Sequence, residues 1–189
     1  SGAGKGFNSL VCITLGTGVG GGVILDGKIW RGAFGMAGEV GHMVVEPEGL
    51  QCSCGNRGCL ETYASATGIV RAAREAINKG DAAWDIDNLT TEMLDAAARG
   101  GDRAAASLFA TAGRYLGIGI ASLLHILNPE AVILGGGVSK GWDLFYPSMN
   151  EEIGKRCFSE IVDRTKILPA SLGDSAGMLG AARLTFEMM

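Results

Sequence analysis

The sequence predicts an α/β domain built on a mixed β-sheet with helices on both faces. Three observations carry this. Two β-branched and apolar runs near the start are joined to a third by Asp26-Gly27, a hairpin dipeptide. Apolar residues then recur at helical spacing from Ala66 to Lys79 and again from Asp102 to Leu127. Near the end, a short apolar run passes through three glycines into a helical pattern, the unit from which parallel sheets are made.

Residues 1–9 are polar and glycine-rich and read as the tail of a connection. Leu10 to Leu15, with Val11, Ile13 and Thr14, reads as a buried strand, followed by a glycine loop from Gly16 to Gly22. A second strand spans Val23 to Leu25 and a third Lys28 to Trp30, because a type I′ turn needs positive φ at both central positions and Asp-Gly supplies it. Three antiparallel strands therefore open the domain. A turn of Thr and Gly offers backbone N–H groups and a hydroxyl to phosphate oxygens, as anion-binding nests do. The competing reading is a merely tight hairpin. It is not a Walker loop, since no Gly-Lys-Ser/Thr follows.

Met43 to Val45 is a short candidate strand before Pro47. The helix from Ala66 to Lys79 carries Ile69, Val70, Ala73 and Ile77 on one stripe and closes at Gly80. Asp81, Asp85 and Asp87 lack the spacing of a calcium loop and are expected to face solvent. A helix from Thr90 to Arg99 ends at Gly100-Gly101. The longest helix runs from the N-cap Asp102 to Leu127, before Asn128-Pro129. Leu108, Phe109, Ala112, Leu116, Ile120, Leu123 and Leu124 make it apolar nearly all round, so it should lie at the centre, with Gly113, Gly117 and Gly119 admitting close neighbours. His125 on this helix is expected to be a core or interface residue, not a catalyst. Ala131 to Leu134, Gly135-Gly136-Gly137 and Val138 to Arg156 read as strand, turn and helix, where a helix start presents free N–H groups to a nucleotide. A strand from Lys166 to Leu168 and a helix from Asp174 to Met188 complete one domain over 1–189.

The chemistry concentrates between Glu39 and Glu61. That stretch holds His42, Cys52, Cys54 and Cys59, three of five cysteines and one of two histidines, with an acid at each end. Thiolates and imidazole are zinc ligands, and one His with three Cys fills a tetrahedral shell with no position left for water. A structural zinc site is expected. A disulfide reading is disfavoured by the odd cysteine count, the absence of a secretory leader and the closeness of Cys52 to Cys54. Buried unrelated thiols would need an apolar setting, and this stretch is polar and glycine-rich. When one imidazole nitrogen binds metal the other carries a proton, so His42 becomes a fixed donor beside the acceptors Glu39 and Glu61. Such a set suits a polyhydroxylated ligand such as a sugar. Alone, either glutamate reads as a solvated surface charge.

Composition bounds the rest. Of 189 residues, 47% are hydrophobic and 19% charged, enough for one substantial core. A net charge of -4 argues against a nucleic-acid or membrane surface, and no apolar run reaches the length of a membrane span. A cytoplasmic protein is expected.

The string Glu39-x-Gly-His42 with Cys52-x-Cys54-Gly55-x-x-Gly58-Cys59-Leu60-Glu61 resembles the signature of the ROK family of sugar kinases and repressors. Leu15 to Gly22 is similar to that family's second phosphate loop, and Leu134 to Val138 to its adenosine-side glycines. The resemblance runs over essentially all 189 residues and, among members, looks most like bacterial glucokinases. It implies the C-terminal lobe of an actin-like ATPase (ribonuclease H-like) fold with a zinc-bound loop insertion. It further implies zinc on His42, Cys52, Cys54 and Cys59, glucose hydroxyls on Glu39, His42 and Glu61, and ATP at Thr17, Gly18, Gly135, Gly136 and Gly137. The implied reaction, a step of glycolysis, is transfer of the ATP γ-phosphoryl group to the glucose 6-hydroxyl with Mg²⁺, in a homo-dimer or homo-tetramer.

The family's kinases also carry an Asp-x-Gly-Gly-Thr loop and a catalytic Asp upstream of the matched segment, and no aspartate here sits in such a context. No catalytic residue is therefore expected in this chain, which reads as one lobe, inactive alone. Two readings stay open beside glucokinase: an N-acetylhexosamine kinase, and the sugar-sensing effector domain of a repressor. A small protein stapled by zinc would explain the cysteines but neither the paired acids nor the glycine turns.

Overall fold

The computed structural model describes residues 2–173 together with Ala176 and Gly180. Strands β1 (Leu10–Leu15), β2 (Val19–Leu25) and β3 (Lys28–Trp30) form an antiparallel meander. Two later strands, β4 (Ala131–Gly135) and β5 (Lys166–Pro169), join it in parallel beside β1. The sheet order is β3-β2-β1-β4-β5, so it is mixed, as expected. Asp26 and Gly27 both take positive φ, 51° and 75°, and turn β2 into β3.

Side chains alternate across the pleat with period two. Val11, Ile13 and Leu15 of β1 and Val132 and Leu134 of β4 face the main core, while Leu10, Ala131 and Ile133 face the other side. The helices cover the first face. They are α1 (Glu61–Ala64), α2 (Ala66–Lys79), α3 (Thr91–Arg99), α4 (Arg103–Leu127), α5 (Trp142–Arg156) and α6 (Ser159–Arg164). On the second face, the described residues bring only Ala3, Phe7 and Ala170 against the sheet's own side chains. Helices on both faces are thus not seen among the described residues, and the helix expected over 174–188 lies outside them apart from Ala176 and Gly180.

α4 is the central helix, and glycines set how closely it is approached. A Cβ on Gly113 would run into the carbonyl of Phe145, and one on Gly117 would stand 2.5 Å from that of Met149, so the backbones of α4 and α5 nearly touch. Ser148 Oγ donates to Ala110 O at 2.7 Å across the same seam. By length and composition α4 is apolar enough to cross a bilayer, contrary to expectation. Its apolar surface is instead spent inside the protein, where Phe109, Leu116, Ile120 and Leu124 are at most 1% exposed. Asp102 caps it, accepting from Ala104 N at 2.9 Å and Ala105 N at 3.0 Å, while Trp84 Nε1 donates to the same carboxylate at 2.7 Å. The Ala105 N–H, then the Trp84 indole, hold the Asp102 carboxyl below its ordinary range. That stabilisation is complete above the ordinary carboxylate pKa and is lost as pH falls through the depressed value.

Several local expectations change. β2 begins at Val19, so Gly20 to Gly22 belong to the strand and the turn is only Gly16 to Gly18. Crowding calls for glycine at the middle position of the three, since a Cβ on Gly21 would stand 2.5 Å from Gly38 O and 2.6 Å from Val40. Val44 makes one isolated bridge to Cys59 and not a strand. α5 starts at Trp142 and not Val138, because residues Gly137–Gly141 close a 3-10 turn in which Ser139 N and Oγ both donate to Gly136 O. α6 carries no long period and escapes a sequence reading. His125 is exposed and lies edge-on to Phe158, with ring centroids 5.2 Å apart, and so is not a core residue. Asp81, Asp85 and Asp87 do face solvent.

Gly113→Ala should cost about 1–3 kcal/mol, because the clash is with backbone that cannot rotate away. A lower urea midpoint at unchanged m-value is the expected result.

Candidate functional site

The turn at Gly16–Gly18 is fixed from two directions. Gly16 N donates to Gly18 O at 3.0 Å and closes the turn, while Gly16 O accepts from Ala66 N at 2.8 Å and Thr17 O from Thr67 Oγ1 at 2.8 Å. The first residues of α2 therefore hold the turn from below. Beside it, Glu61 Oε2 accepts from Val19 N at 2.9 Å, and a Cβ on Gly18 would collide with that oxygen. Oε1 of Glu61 carries no protein hydrogen bond among the described residues. The Val40–His42 turn packs on the other side of Val19, where a Cβ on Gly41 would meet the Val19 carbonyl. The structure thus gathers the Glu39–His42 turn, Glu61 and the glycine turn around the first residue of β2. Glu39 is exposed there, and His42 and Glu61 are half-buried.

The three cysteines and His42 also converge. Their ligating atoms lie within 4.8 Å of one another, with Cys54 Sγ 3.6 Å from Cys59 Sγ and Cys52 Sγ 3.8 Å from His42 Nδ1. A tetrahedral ion with metal–sulfur bonds of about 2.3 Å and metal–nitrogen bonds of about 2.0 Å has ligand–ligand edges of roughly 3.5–3.8 Å. The donor set fits such an ion, and Nδ1 is the imidazole nitrogen turned toward it. Burial, then the hydrogen bonds and charge of the neighbouring thiols, pushes the Cys59 thiol up to about 12. The Asn56 backbone N–H, then the Cys52 side chain, draw Cys54 below the ordinary thiol value. A metal would take the place of these unevenly held protons. The loop is shaped for this by Cys52 N donating to Asn56 O at 2.8 Å and by Gly55 and Gly58 at φ 94° and 72°. Leu50 N donates to Tyr63 OH at 2.9 Å, and Tyr63 stacks on Tyr115 of α4 at 3.9 Å, which fastens the loop to the central helix.

β1 and β4 are parallel neighbours, so the turns that leave them emerge side by side at the carboxyl end of the sheet, where ligands of open α/β sheets bind. Thr14 is paired with Gly135 in that register. Gly136, at φ 92°, lies on the Leu15 carbonyl, where any side chain would clash, and Gly137 has open space around it. Next to Thr17 an open cleft of ≈ 460 Å³ is lined by Thr67, Arg71, Arg74, Thr90 and Thr91. These residues escaped the sequence reading. Arg71 and Arg74 lie on the polar side of α2, and no local pattern reveals that α2 starts against a turn fifty residues earlier.

These features define a domain of the actin-like ATPase class, with a metal-ligand cluster inserted after the meander. The chain belongs to the ROK family, whose family model matches residues 1–187. It is 42% identical to a glucokinase of Halalkalibacterium halodurans, over 97% of this chain and 58% of that protein. It is 34% identical to the xylose repressor of Bacillus subtilis, over 98% of this chain and 46% of the repressor. The solved structure of a ROK family glucokinase from Streptomyces griseus, in complex with glucose and AMPPNP, superposes with a TM-score of 0.84 at 38% identity, covering 96% of this chain and 62% of that one. The chain spans 58% to 62% of the length of the glucokinases it matches.

Glu61→Ala should remove about 1–3 kcal/mol of stability by leaving Val19 N–H without its acceptor, whereas Glu61→Gln keeps an oxygen there and should cost about 1 kcal/mol or less. Paired thermal melts separate the two.

Proposed function

We propose that this chain is the sugar-binding and nucleotide-binding lobe of an ATP-dependent hexose kinase, with glucose as the acceptor. The observation that supports it best is the Glu61 to Val19 hydrogen bond. It places a carboxylate suited to a sugar hydroxyl directly beside a glycine turn suited to phosphate, and phosphoryl transfer needs its acceptor and donor side by side.

Each residue then has a task. Glu61 uses Oε2 to hold Val19 and offers Oε1 to a sugar hydroxyl. Glu39 offers a second acceptor. With Nδ1 turned into the cysteine cluster, His42 keeps Nε2–H as a donor to the same ligand. Zinc is the ion proposed for His42, Cys52, Cys54 and Cys59, in a structural role that holds the acids at fixed spacing. Thr17 and Gly18 lie on the phosphate side of ATP, and Gly135 to Gly137 on the adenosine side, where absent side chains let a ligand come close to backbone. Mg²⁺, bound with ATP, would neutralise phosphate charge during transfer. The proton acceptor for the 6-hydroxyl is assigned to the part of the enzyme outside these 189 residues.

A second reading, a sugar-sensing effector domain, draws support from the likeness to the xylose repressor. The cleft beside Thr17 favours the kinase, because the Arg74 guanidinium beside the hydroxyls of Thr67, Thr90 and Thr91 suits phosphates, while Arg71 on the same wall is tied to Glu75 Oε1 at 2.8 Å and Thr62 O at 2.9 Å. A kinase acting on an N-acetylated hexosamine stands as the alternative substrate choice.

The protein extended upstream to the length of its relatives should release ADP with ATP, Mg²⁺ and glucose, in preference to N-acetylglucosamine or N-acetylmannosamine. Glu61→Gln should lower kcat/KM for glucose by roughly a hundredfold, since a site built to bond a hydroxyl loses heavily when that bond is weakened. The 189-residue chain alone should show no sugar-dependent ADP formation, and turnover by it would overturn the division of labour proposed here. Metal analysis should find one zinc per chain. Stripping it by chelation, or by acid that protonates the thiolates, should lower Tm by about 10 °C.

A further inference from the structure

The geometry points to Arg99 as a positioning residue that holds the two walls of the nucleotide site at a fixed separation. This rests on the nucleotide reading above and adds a residue to it. α3 reaches the site at one end and leaves it at the other: Thr90 and Thr91 at its start line the cleft beside Thr17, and Arg99 stands in its last turn. From there the guanidinium crosses to the opposite wall. Nη1 donates to Asp143 Oδ2 at 2.8 Å and Nη2 to Asp143 Oδ1 at 2.7 Å, a bidentate fork, while Nη2 also reaches Lys140 O at 3.4 Å. Asp143 lies in the first turn of α5, and Lys140 lies in the 3-10 turn that follows Gly136. One side chain therefore joins the helix that lines the cleft to the turn that carries the adenosine-side glycines.

The fork is set before it meets its partner. Asp95, one turn earlier on α3, accepts from Arg99 Nε at 2.8 Å and fixes the plane of the guanidinium. The other oxygen of Asp95 is buried without a partner among the described residues and lies 3.2 Å from where a Cβ on Gly141 would stand, so the glycine is what lets α3 come this close to the turn. Arg99 is 44% exposed, and ion pairs at such positions add little to stability. What a planar, bidentate contact does supply is a defined distance and angle, which a lysine's point charge does not. The acids of the sugar side, Glu39 and Glu61, make no contact with this network. Loss of the strut should therefore affect nucleotide and spare sugar.

Calorimetric titration with Mg·AMPPNP and, separately, with glucose tests this on the wild-type protein, Arg99→Ala, Arg99→Lys, Asp143→Asn and the Arg99→Ala/Asp143→Asn double variant. Arg99→Ala should weaken AMPPNP binding about tenfold while glucose affinity stays within about twofold, the size of loss that follows when a wall shifts by a fraction of an ångström. Arg99→Lys should recover little. Asp143→Asn should match Arg99→Ala, and the double variant should lose no more than either, because the residues act as one unit. Unchanged AMPPNP affinity in Arg99→Ala, or a parallel fall in glucose affinity, would overturn the strut. A wild-type protein that binds glucose but no AMPPNP would overturn the nucleotide reading itself and the strut with it.

Discussion

The backbone of Val19 is held from both sides, its N–H by Glu61 and its carbonyl by close packing of Gly41. These two contacts join three segments distant in sequence: the glycine turn, the Glu39–His42 turn and the start of α1. Neither contact tolerates a side chain at its neighbour, since a Cβ on Gly18 would strike Glu61 and a Cβ on Gly41 would strike Val19. Glycines here act as spacers of zero thickness, and they allow a carboxylate and the glycine turn to share one residue.

The segment that supplies these contacts cannot hold itself together by burial. Between Arg31 and Cys59 only Val40, Gly41, Cys52, Gly58 and Cys59 are buried, too little apolar surface to offset the entropy of ordering nearly thirty residues. The cysteine and histidine cluster stands where an ion held by four side chains would supply what a core does not. The Tyr63 hydroxyl and its stack on Tyr115 complete the anchoring by tying the loop to α4. Cluster, loop and acids thus form one mechanical unit. The second unit, around Arg99, works with ion pairs instead, since it spans exposed helix ends where no core is available.

Much of the fold was legible in the residues. The Asp26-Gly27 hairpin, the N-cap Asp102 and the closing Gly80 all stand where expected, because each is decided by chemistry within four residues. Much of what failed was decided at long range. Gly20 to Gly22 read as loop because glycine disfavours strands, yet they pair with β1, and at Gly21 the neighbouring chain at Gly38 and Val40 needs the room. His125 read as a core or interface residue, and its place on the outward side at the end of α4 removes the core half of that reading.

The candidate site divides the same way. The donor set of His42, Cys52, Cys54 and Cys59, and the acids flanking it, were determined by residue type alone, since ligand preference is a property of the side chain and not of the fold. Only the tertiary structure decided that Glu61 spends one oxygen on Val19. The same holds for Arg71 and Arg74 lining a cleft with Thr17, and for Arg99 reaching Asp143, because these contacts span forty or more residues. Local chemistry sets which atoms can bond, and chain topology sets which of them meet.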